Sequence, residues 1–206
     1  MKGKFITIEG IDGTGKSTLT ANLAQFLLRE GYDVVVTTEP TDTWLGKNVK
    51  RGFNEPISPF TECFLFSADR CEHTKWINEE LEKGKIVLCD RYADSTYAYQ
   101  GAALASHIPD AVNWLIEISK YIVREPDVTI LLVARAEVVL GRIESRANLT
   151  KFEKCAYLKK VEEIYLQLAK RYERIKVIDA EQSAEQVFEQ SKQIVLSCIE
   201  SRNRMG

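Results

Sequence analysis

Short apolar runs alternate along the chain with longer segments that have helical periodicity. The runs are rich in β-branched residues and predict five strands, at 5–8, 34–36, 86–89, 128–133 and 175–178. The longer segments predict helices at 17–30, 61–83, 109–121, 137–146, 152–174 and from Ser183 toward Arg202, where Gln186 completes a capping box. Strands that are apolar throughout are typical of sheets covered on both faces. The alternation therefore predicts an α/β fold, a five-stranded parallel sheet with helices on both faces.

Two stretches do not follow this alternation. Residues 42–59 are rich in glycine, proline and polar side chains and predict a loop with at most one helical turn. Residues 95–101 mix polar and aromatic side chains and are not typical of a core. Because neither stretch is a linker and no repeat is present, the sequence predicts a single domain over 1–206.

Composition and charge narrow the function classes. Of the 206 residues 45% are hydrophobic and 28% charged, which is ordinary for a globular protein, and the net charge of −2 gives no global field for holding nucleic acid or an anionic membrane. The five cysteines form an odd count without a CxxC pair and predict reduced thiols, each a small buried hydrophobe. His73 and His107 are too few for a zinc site. With no secretory segment or spanning run in view, the expected location is the cytoplasm.

Residues 10–17 match the phosphate-loop motif G-x-x-x-x-G-K-[ST] at every fixed position, between a predicted strand and a predicted helix. Glycines let backbone N–H groups approach phosphate oxygens, Lys16 supplies a positive charge, and the Ser17 hydroxyl is suited to Mg²⁺. The motif predicts binding of Mg·ATP without saying what becomes of the nucleotide. The residues assigned to ATP from this loop and the start of the following helix are Gly10, Asp12, Gly13, Thr14, Gly15, Lys16, Ser17 and Thr18.

A second candidate group follows the strand at 86–89. Asp90 is placed at the carboxyl end of the sheet to orient Mg²⁺ or its waters, and Arg91 to grip a second phosphate with two hydrogen bonds. The alternative interpretation is an ordinary surface ion pair at a strand end.

Further along, Phe66 and Arg70 share a helix face at a spacing of four residues. Such a pair can stack a base and bind its carbonyl edge, although spacing alone favours a core phenylalanine and a solvated arginine. Tyr99 and Gln100 are candidates for walling off the 2′ position of a sugar and for reading a base, or are ordinary helix-surface residues.

Taken in order, these motifs resemble the thymidylate kinase (dTMP kinase) family of P-loop nucleoside monophosphate kinases. The resemblance covers nearly the whole chain and is carried by the phosphate loop, Glu39-Pro40, Leu65–Arg70, Asp90-Arg91-Tyr92, Tyr99-Gln100-Gly101, Pro126-Asp127 and Phe152-Glu153. It implies a three-layer P-loop fold and transfer of a phosphoryl group from ATP to dTMP, giving dTDP and ADP. Members are typically homodimers.

The resemblance also implies roles for individual residues. Phe66 would stack on thymine, Arg70 bind its carbonyl edge and Arg91 hold the dTMP phosphate. Asp12 would meet the 3′-hydroxyl side of dTMP, and Tyr99 would disfavour ribose. The full dTMP-binding set is Asp12, Glu39, Phe66, Arg70, Arg91, Ser95, Tyr99 and Gln100, and the metal set is Ser17 and Asp90.

A basic segment at 142–154 is the expected lid over the nucleotides. Arg146 is assigned as its catalytic cation, beside Lys16 and Arg91, and Arg142 as the residue that stacks on adenine. Relatives often carry arginine where this chain has Thr38 and Lys151. Loss of those arginines leaves two alternatives open, a kinase for another monophosphate and a non-catalytic ATP-binding regulator.

Overall fold

A computed structural model describes the backbone of residues 3–142 and 151–200 and the side chains of residues 3–139 and 155–200. The predictions for Arg146, and for the side chains of Arg142 and Lys151, lie outside the described residues.

The five predicted strands are confirmed and form one parallel sheet in the order β2-β3-β1-β4-β5. They are β1 (Lys4–Gly10), β2 (Val34–Thr38), β3 (Ile86–Asp90), β4 (Val128–Val133) and β5 (Ile175–Asp179). Every residue of β1 is buried, because this central strand has helices on both of its faces. The α/β fold predicted from the alternation is therefore confirmed.

Helices cover the two faces of the sheet in two groups. In the described part of the chain they are α1 (Lys16–Arg29), α2 (Trp44–Gly52), α3 (Pro59–Glu82), α4 (Ala93–Leu104), α5 (Ala111–Ser119), α6 (Ala136–Arg142), α7 (Lys151–Arg171) and α8 (Ala184–Glu200). Helices α1 and α8 pack together on one face, and α3, α4 and α7 pack on the other. The capping box at the start of α8 is confirmed, since the Ser183 hydroxyl accepts a hydrogen bond from the Gln186 N–H at 3.2 Å. None of the helices in the described ranges has the length and apolar content required to cross a bilayer.

Helix α2 lies where the sequence predicted a loop with at most one turn, so that prediction is wrong. The Thr43 side chain caps the helix by accepting a hydrogen bond from Gly46 N–H at 3.3 Å. Val49 is 1% exposed because α2 packs against α3. Tertiary packing of one apolar residue thus completes a helix that its glycines and polar residues disfavour.

Helix α4 overturns the prediction that residues 95–101 are not core. Most of the helix is buried, including its polar residues Ser95, Thr96 and Gln100. These side chains are hydrogen-bonded to partners on β1 and α3, which removes the usual cost of burying them.

The cysteines follow their prediction only in part. All five are free thiols, and Cys63 and Cys89 are buried. Cys71 is exposed on the outer side of α3, so the expectation of burial is wrong for it.

Candidate active site

A cavity of about 700 Å³ opens at the carboxyl edge of the sheet, above β1 and β3. Its walls are the segment after β1, the start of α1, and the facing sides of α3 and α4. Among the predicted site residues whose side chains the structure describes, the cavity brings together all except Gly10 and Thr14. Residues that are almost 90 positions apart in the sequence, such as Asp12 and Gln100, thus share one site.

The phosphate loop connects β1 to α1 through glycines with positive φ. The φ angles are 138° at Gly10, 84° at Gly13 and 91° at Gly15. A Cβ on Gly10 would stand 2.3 Å from the Leu132 carbonyl oxygen of β4, so this position admits only glycine. Gly15 caps α1 without a side-chain hydrogen bond, and a Cβ there would meet nothing within 4 Å. The start of α1 thus lacks a side-chain cap and lines the cavity, as an anion site at a helix N-terminus requires.

Lys16 lies folded along the loop rather than extended into water. Its Nζ donates to the Ile11 carbonyl oxygen at 2.9 Å, and the residue is 6% exposed. Burial lowers the pKa of Lys16 to about 8, with Arg91 adding to the effect and Asp12 opposing it. A phosphate beside Nζ would restore the charged form, so the lysine is suited to meet an anion at this position.

Ser17 and Asp90 form the candidate metal group. The Ser17 hydroxyl donates to Asp90 Oδ2 at 2.5 Å, while Asp90 Oδ1 is a buried oxygen with no hydrogen-bond partner among the described residues. A hydroxyl beside an unpartnered carboxylate oxygen fits Mg²⁺, which prefers oxygen ligands and is usually held by only one or two protein groups. No cluster of three or more acidic, histidine or cysteine side chains suitable for a metal occurs within the described ranges.

Arg91 is held over the phosphate loop in a conformation unusual for a residue with a side chain. Its φ is 70°, and its guanidinium donates to Asp12 Oδ1 at 2.6 Å and to the Gly10 carbonyl oxygen at 3.1 Å. It also lies 5.2 Å from the centre of the Tyr99 ring. The Tyr99 hydroxyl in turn accepts a hydrogen bond from the Asp12 N–H at 3.2 Å. The Arg91 side chain is 18% exposed and pairs with the exposed Asp12 of the phosphate loop, not with its neighbour Asp90, so Arg91 lies across the floor of the cavity.

Arg70 is buried, which contradicts the interpretation of a solvated helix residue. It is 1% exposed and donates to Glu39 Oε2 through Nε at 2.9 Å and through Nη2 at 2.5 Å. The other Glu39 oxygen bonds His73 Nδ1 at 2.9 Å. Arg70 Nη1 is buried without a partner in the described structure, although Arg70 lines the cavity. Since a buried guanidinium donor is costly to leave unpaired, Nη1 is a candidate donor to a bound molecule.

Glu39 was assigned to dTMP binding by resemblance alone. Because its two oxygens already bond Arg70 and His73, its geometry is that of a group that positions Arg70. Neither Lys50 nor Arg51, the cations at the end of α2, takes the place of an arginine at position 38. Lys50 pairs with Asp42, and neither Lys50 nor Arg51 lines the cavity.

Phe66 is half-buried at the cavity wall and is not a core residue. Its ring centre lies 6.1 Å from that of Phe53, which the sequence did not single out. Gln100 is 5% exposed, and its Nε2 donates to Glu62 Oε1 at 3.4 Å. Helix α3 therefore presents the Phe66 ring, and helix α4 the Gln100 amide, to the same cavity.

Ser95 is tied to a residue that sequence reasoning missed. The Ser95 hydroxyl donates to Glu9 Oε2 at 2.6 Å and Arg91 Nη1 donates to the Ser95 oxygen at 3.2 Å. Glu9 is fully buried and also accepts from the Tyr165 hydroxyl at 3.0 Å and from the Tyr92 N–H at 2.8 Å. Its position at the carboxyl end of a strand, the same signal that singled out Asp90, was available in the sequence. Thr96, which accepts from Arg70 Nη2 at 2.8 Å, carried no such signal.

Glu9 gives the protein a predictable pH dependence. Burial, with the charge of Asp94, raises the pKa of Glu9 from 4.5 to about 7. Between these two values the native state holds a proton that the unfolded state has lost, so this carboxyl makes the free energy of unfolding fall as pH rises from 4.5 to about 7. Its contribution to the slope is at most about 1.4 kcal/mol per pH unit.

Glu9→Gln is expected to remove that contribution, which urea unfolding at a series of pH values measures as a flatter profile than the wild type. Glu79→Gln, an exposed change, serves as the control and should keep the wild-type slope. Parallel profiles for the Glu9→Gln variant and the wild type over this window would contradict the assignment.

Comparison with known proteins adds independent findings. The sequence profile of the family described as "Thymidylate kinase" matches residues 8–191. A probable thymidylate kinase from Methanosarcina barkeri is 40% identical over 207 residues, which covers 99% of this chain and 100% of the relative. One from Methanococcoides burtonii is 40% identical, covering 98% and 100%, and one from Thermococcus onnurineus is 44% identical, covering 89% and 92%.

Proposed function

This chain belongs to the thymidylate kinase family, and from that premise we propose how its cavity transfers a phosphoryl group from ATP to dTMP, giving dTDP and ADP. The observation that carries the proposal is one cavity that joins the phosphate loop to a pocket with an aromatic wall and a buried arginine. Lys16 lies in the half formed by the phosphate loop, and Arg70 lies in the half with the aromatic wall. A nucleoside monophosphate kinase needs both halves, because it must align two phosphates between two nucleotides.

The donor half is the phosphate loop. Its backbone N–H groups and Lys16 bind the phosphates of ATP, and the residues assigned to ATP from 10–18 all belong to this segment. Ser17 and Asp90 would hold Mg²⁺, which when bound neutralises charge on the phosphates. Asp90 also accepts the Ser17 hydroxyl hydrogen bond, which orients that hydroxyl.

The acceptor half is built around Phe66 and Arg70. Thymine stacks on Phe66 and receives a hydrogen bond on a carbonyl oxygen from Arg70 Nη1, a buried donor that has no partner within the described ranges. Glu39 acts through Arg70, and Gln100 reads the remaining base edge.

Arg91 occupies the boundary between the halves. Its guanidinium binds the dTMP phosphate, Asp12 faces the sugar, and Tyr99 disfavours a 2′-hydroxyl. Because little covalent work is needed in phosphoryl transfer, holding the two phosphates in line and neutralising their charge is the main task of Lys16 and Arg91.

The segment 142–154 is proposed as the lid on the strength of its sequence alone. Arg146 remains the predicted third catalytic cation and Arg142 the predicted adenine contact. The single-domain assignment for 1–206 likewise remains a proposal.

The assay that tests the function is coupled ADP release over a panel of dTMP, dUMP, UMP, dCMP and AMP with Mg·ATP. The highest kcat/KM is expected for dTMP, because the pocket offers stacking, a donor for a carbonyl and a tyrosine against ribose. A flat response across the panel would contradict the proposed acceptor, and ATP binding without turnover of any acceptor would favour the regulator alternative. Neither alternative is favoured by the family or by the cavity.

We also propose a cytoplasmic homodimer, as family resemblance implies. An aromatic patch on α3 and α5 supports an interface, since Phe64 is 54% exposed and its ring centre lies 6.3 Å from that of Trp114. Light scattering at micromolar concentration should give twice the mass of one chain, and a monomer mass would contradict the proposal.

A further inference from the structure

Helices α3 and α4 face each other across the base-binding half of the cavity. Helix α3 presents Glu62, Phe66 and Arg70 at successive intervals of four residues, and α4 presents Thr96 and Gln100 at the same interval. Two hydrogen bonds join the helices, Arg70 Nη2 to Thr96 Oγ1 at 2.8 Å and Gln100 Nε2 to Glu62 Oε1 at 3.4 Å. Phe66 therefore lies on α3 between two polar contacts with α4. One of them is made by the buried Arg70 and the other by Glu62.

The contact between Gln100 and Glu62 restricts how the amide is oriented. A carboxylate can only accept hydrogen bonds, so the amide must turn its NH₂ group toward Glu62. The amide oxygen accepts no hydrogen bond from any described residue, although Gln100 is 5% exposed and lines the cavity. Burial raises the pKa of Glu62, and the hydrogen bond from Gln100 opposes that rise by stabilising the ionised form.

We propose that Glu62 is a positioning residue that holds the Gln100 amide oxygen toward the bound base, so that the site selects an imide base over cytosine. The inference rests on the proposed function and adds a residue to which the motifs assigned no role. Glu62 does not touch the substrate in this arrangement and acts through Gln100.

The chemistry of the bases makes the orientation decisive. Thymine and uracil carry an N3–H donor beside a carbonyl, whereas cytosine has an unprotonated ring nitrogen beside an amino group. An amide oxygen facing N3 accepts from an imide and meets a lone pair on cytosine. If the amide turned over, its NH₂ group would instead donate to cytosine. Arg70 rejects the cytosine amino group independently, so Glu62 supplies only part of the discrimination.

The test compares kcat/KM for dTMP, dUMP and dCMP at saturating Mg·ATP in the wild type and in Glu62→Gln. Glutamine has nearly the same shape but can donate to the Gln100 oxygen, which frees the amide to turn over. We expect the dTMP/dCMP ratio to fall about 3- to 10-fold, the effect of one hydrogen bond. The dTMP/dUMP ratio should not change, because both bases present the same imide edge. Where dCMP turnover is too slow, its inhibition constant against dTMP replaces kcat/KM.

Two further variants distinguish a change in the orientation of the Gln100 amide from a general loss of structure in the site. Glu62→Asp keeps a side chain that only accepts, so its dTMP/dCMP ratio should stay nearer the wild type than that of Glu62→Gln. Glu79→Gln, exposed on the same helix, should leave both ratios unchanged. An unchanged dTMP/dCMP ratio in Glu62→Gln, or an equal fall in both ratios, would overturn the role of Glu62. A wild type without preference for dTMP would instead overturn the proposed function.

Discussion

Replacing Lys16 by alanine is expected to lower kcat by about 10²–10³-fold, the effect of losing one charged donor in the transition state. The lysine lies within the phosphate loop with its Nζ 2.9 Å from the Ile11 carbonyl oxygen, so little movement brings it to a phosphate. Removing it leaves the loop's backbone N–H groups in place, and ATP binding should therefore weaken less than turnover. Steady-state kinetics with dTMP, together with calorimetric titration of ATP, separates the two effects.

The control for Lys16→Ala is Lys75→Ala, an exposed lysine of α3 outside the cavity, which should keep wild-type kinetics. A second readout follows from the pKa of about 8 for Lys16. Phosphate binds the charged form, so ATP affinity should decline as pH rises above about 8 in the wild type and lose this dependence in the variant. Turnover within a factor of three of the wild type would remove Lys16 from the catalytic group.

Replacing Arg91 by alanine is expected to lower kcat/KM for dTMP by about 10²–10³-fold, because it removes the cation placed between the two halves of the cavity. Arg91→Lys should recover only part of the loss, since an ammonium group cannot bond Asp12, Gly10 and a phosphate in the same fork. Alanine and lysine at φ 70° bear the same backbone strain as arginine, so the substitutions report on contacts rather than on the turn.

Arg29→Ala, at the exposed end of α1, is the matched control and should behave as the wild type. Thermal unfolding of both Arg91 variants shows whether the fold is retained. Full activity of Arg91→Lys would mean that charge alone is required and that the bidentate clamp has no part in the reaction.

Local chemistry explains what the sequence could predict. The phosphate loop was fully identifiable because all its parts lie within eight residues and its neighbours have clear strand and helix periodicity. Asp90 and Arg91 were identifiable because parallel strands bring their carboxyl ends to one edge. In both cases the residues that matter are adjacent in the chain.

The pocket proposed for the base could not be predicted from the spacing of residues in the sequence, because it depends on contacts between distant parts of the chain. Arg70 looks like a surface residue until Glu39, 31 positions earlier, is brought against it. Helix α4 was misjudged for the same reason, because Ser95 and Thr96 are polar in sequence but have buried partners. Family resemblance assigned Arg70 and Ser95 to a binding site, whereas spacing alone favoured a solvated Arg70, and both residues line the cavity.

The buried Arg70–Glu39–His73 group has a consequence for the energetics of substrate binding. These side chains are already ordered by one another in the free protein. On the proposed assignment dTMP would therefore meet a preorganised donor, and its binding would cost little conformational entropy of the protein. Lys16 must instead exchange its hydrogen bond with the Ile11 carbonyl for one with a phosphate. On this proposal the half of the site that selects dTMP is rigid, whereas the half that binds the phosphates of ATP rearranges when the nucleotide binds.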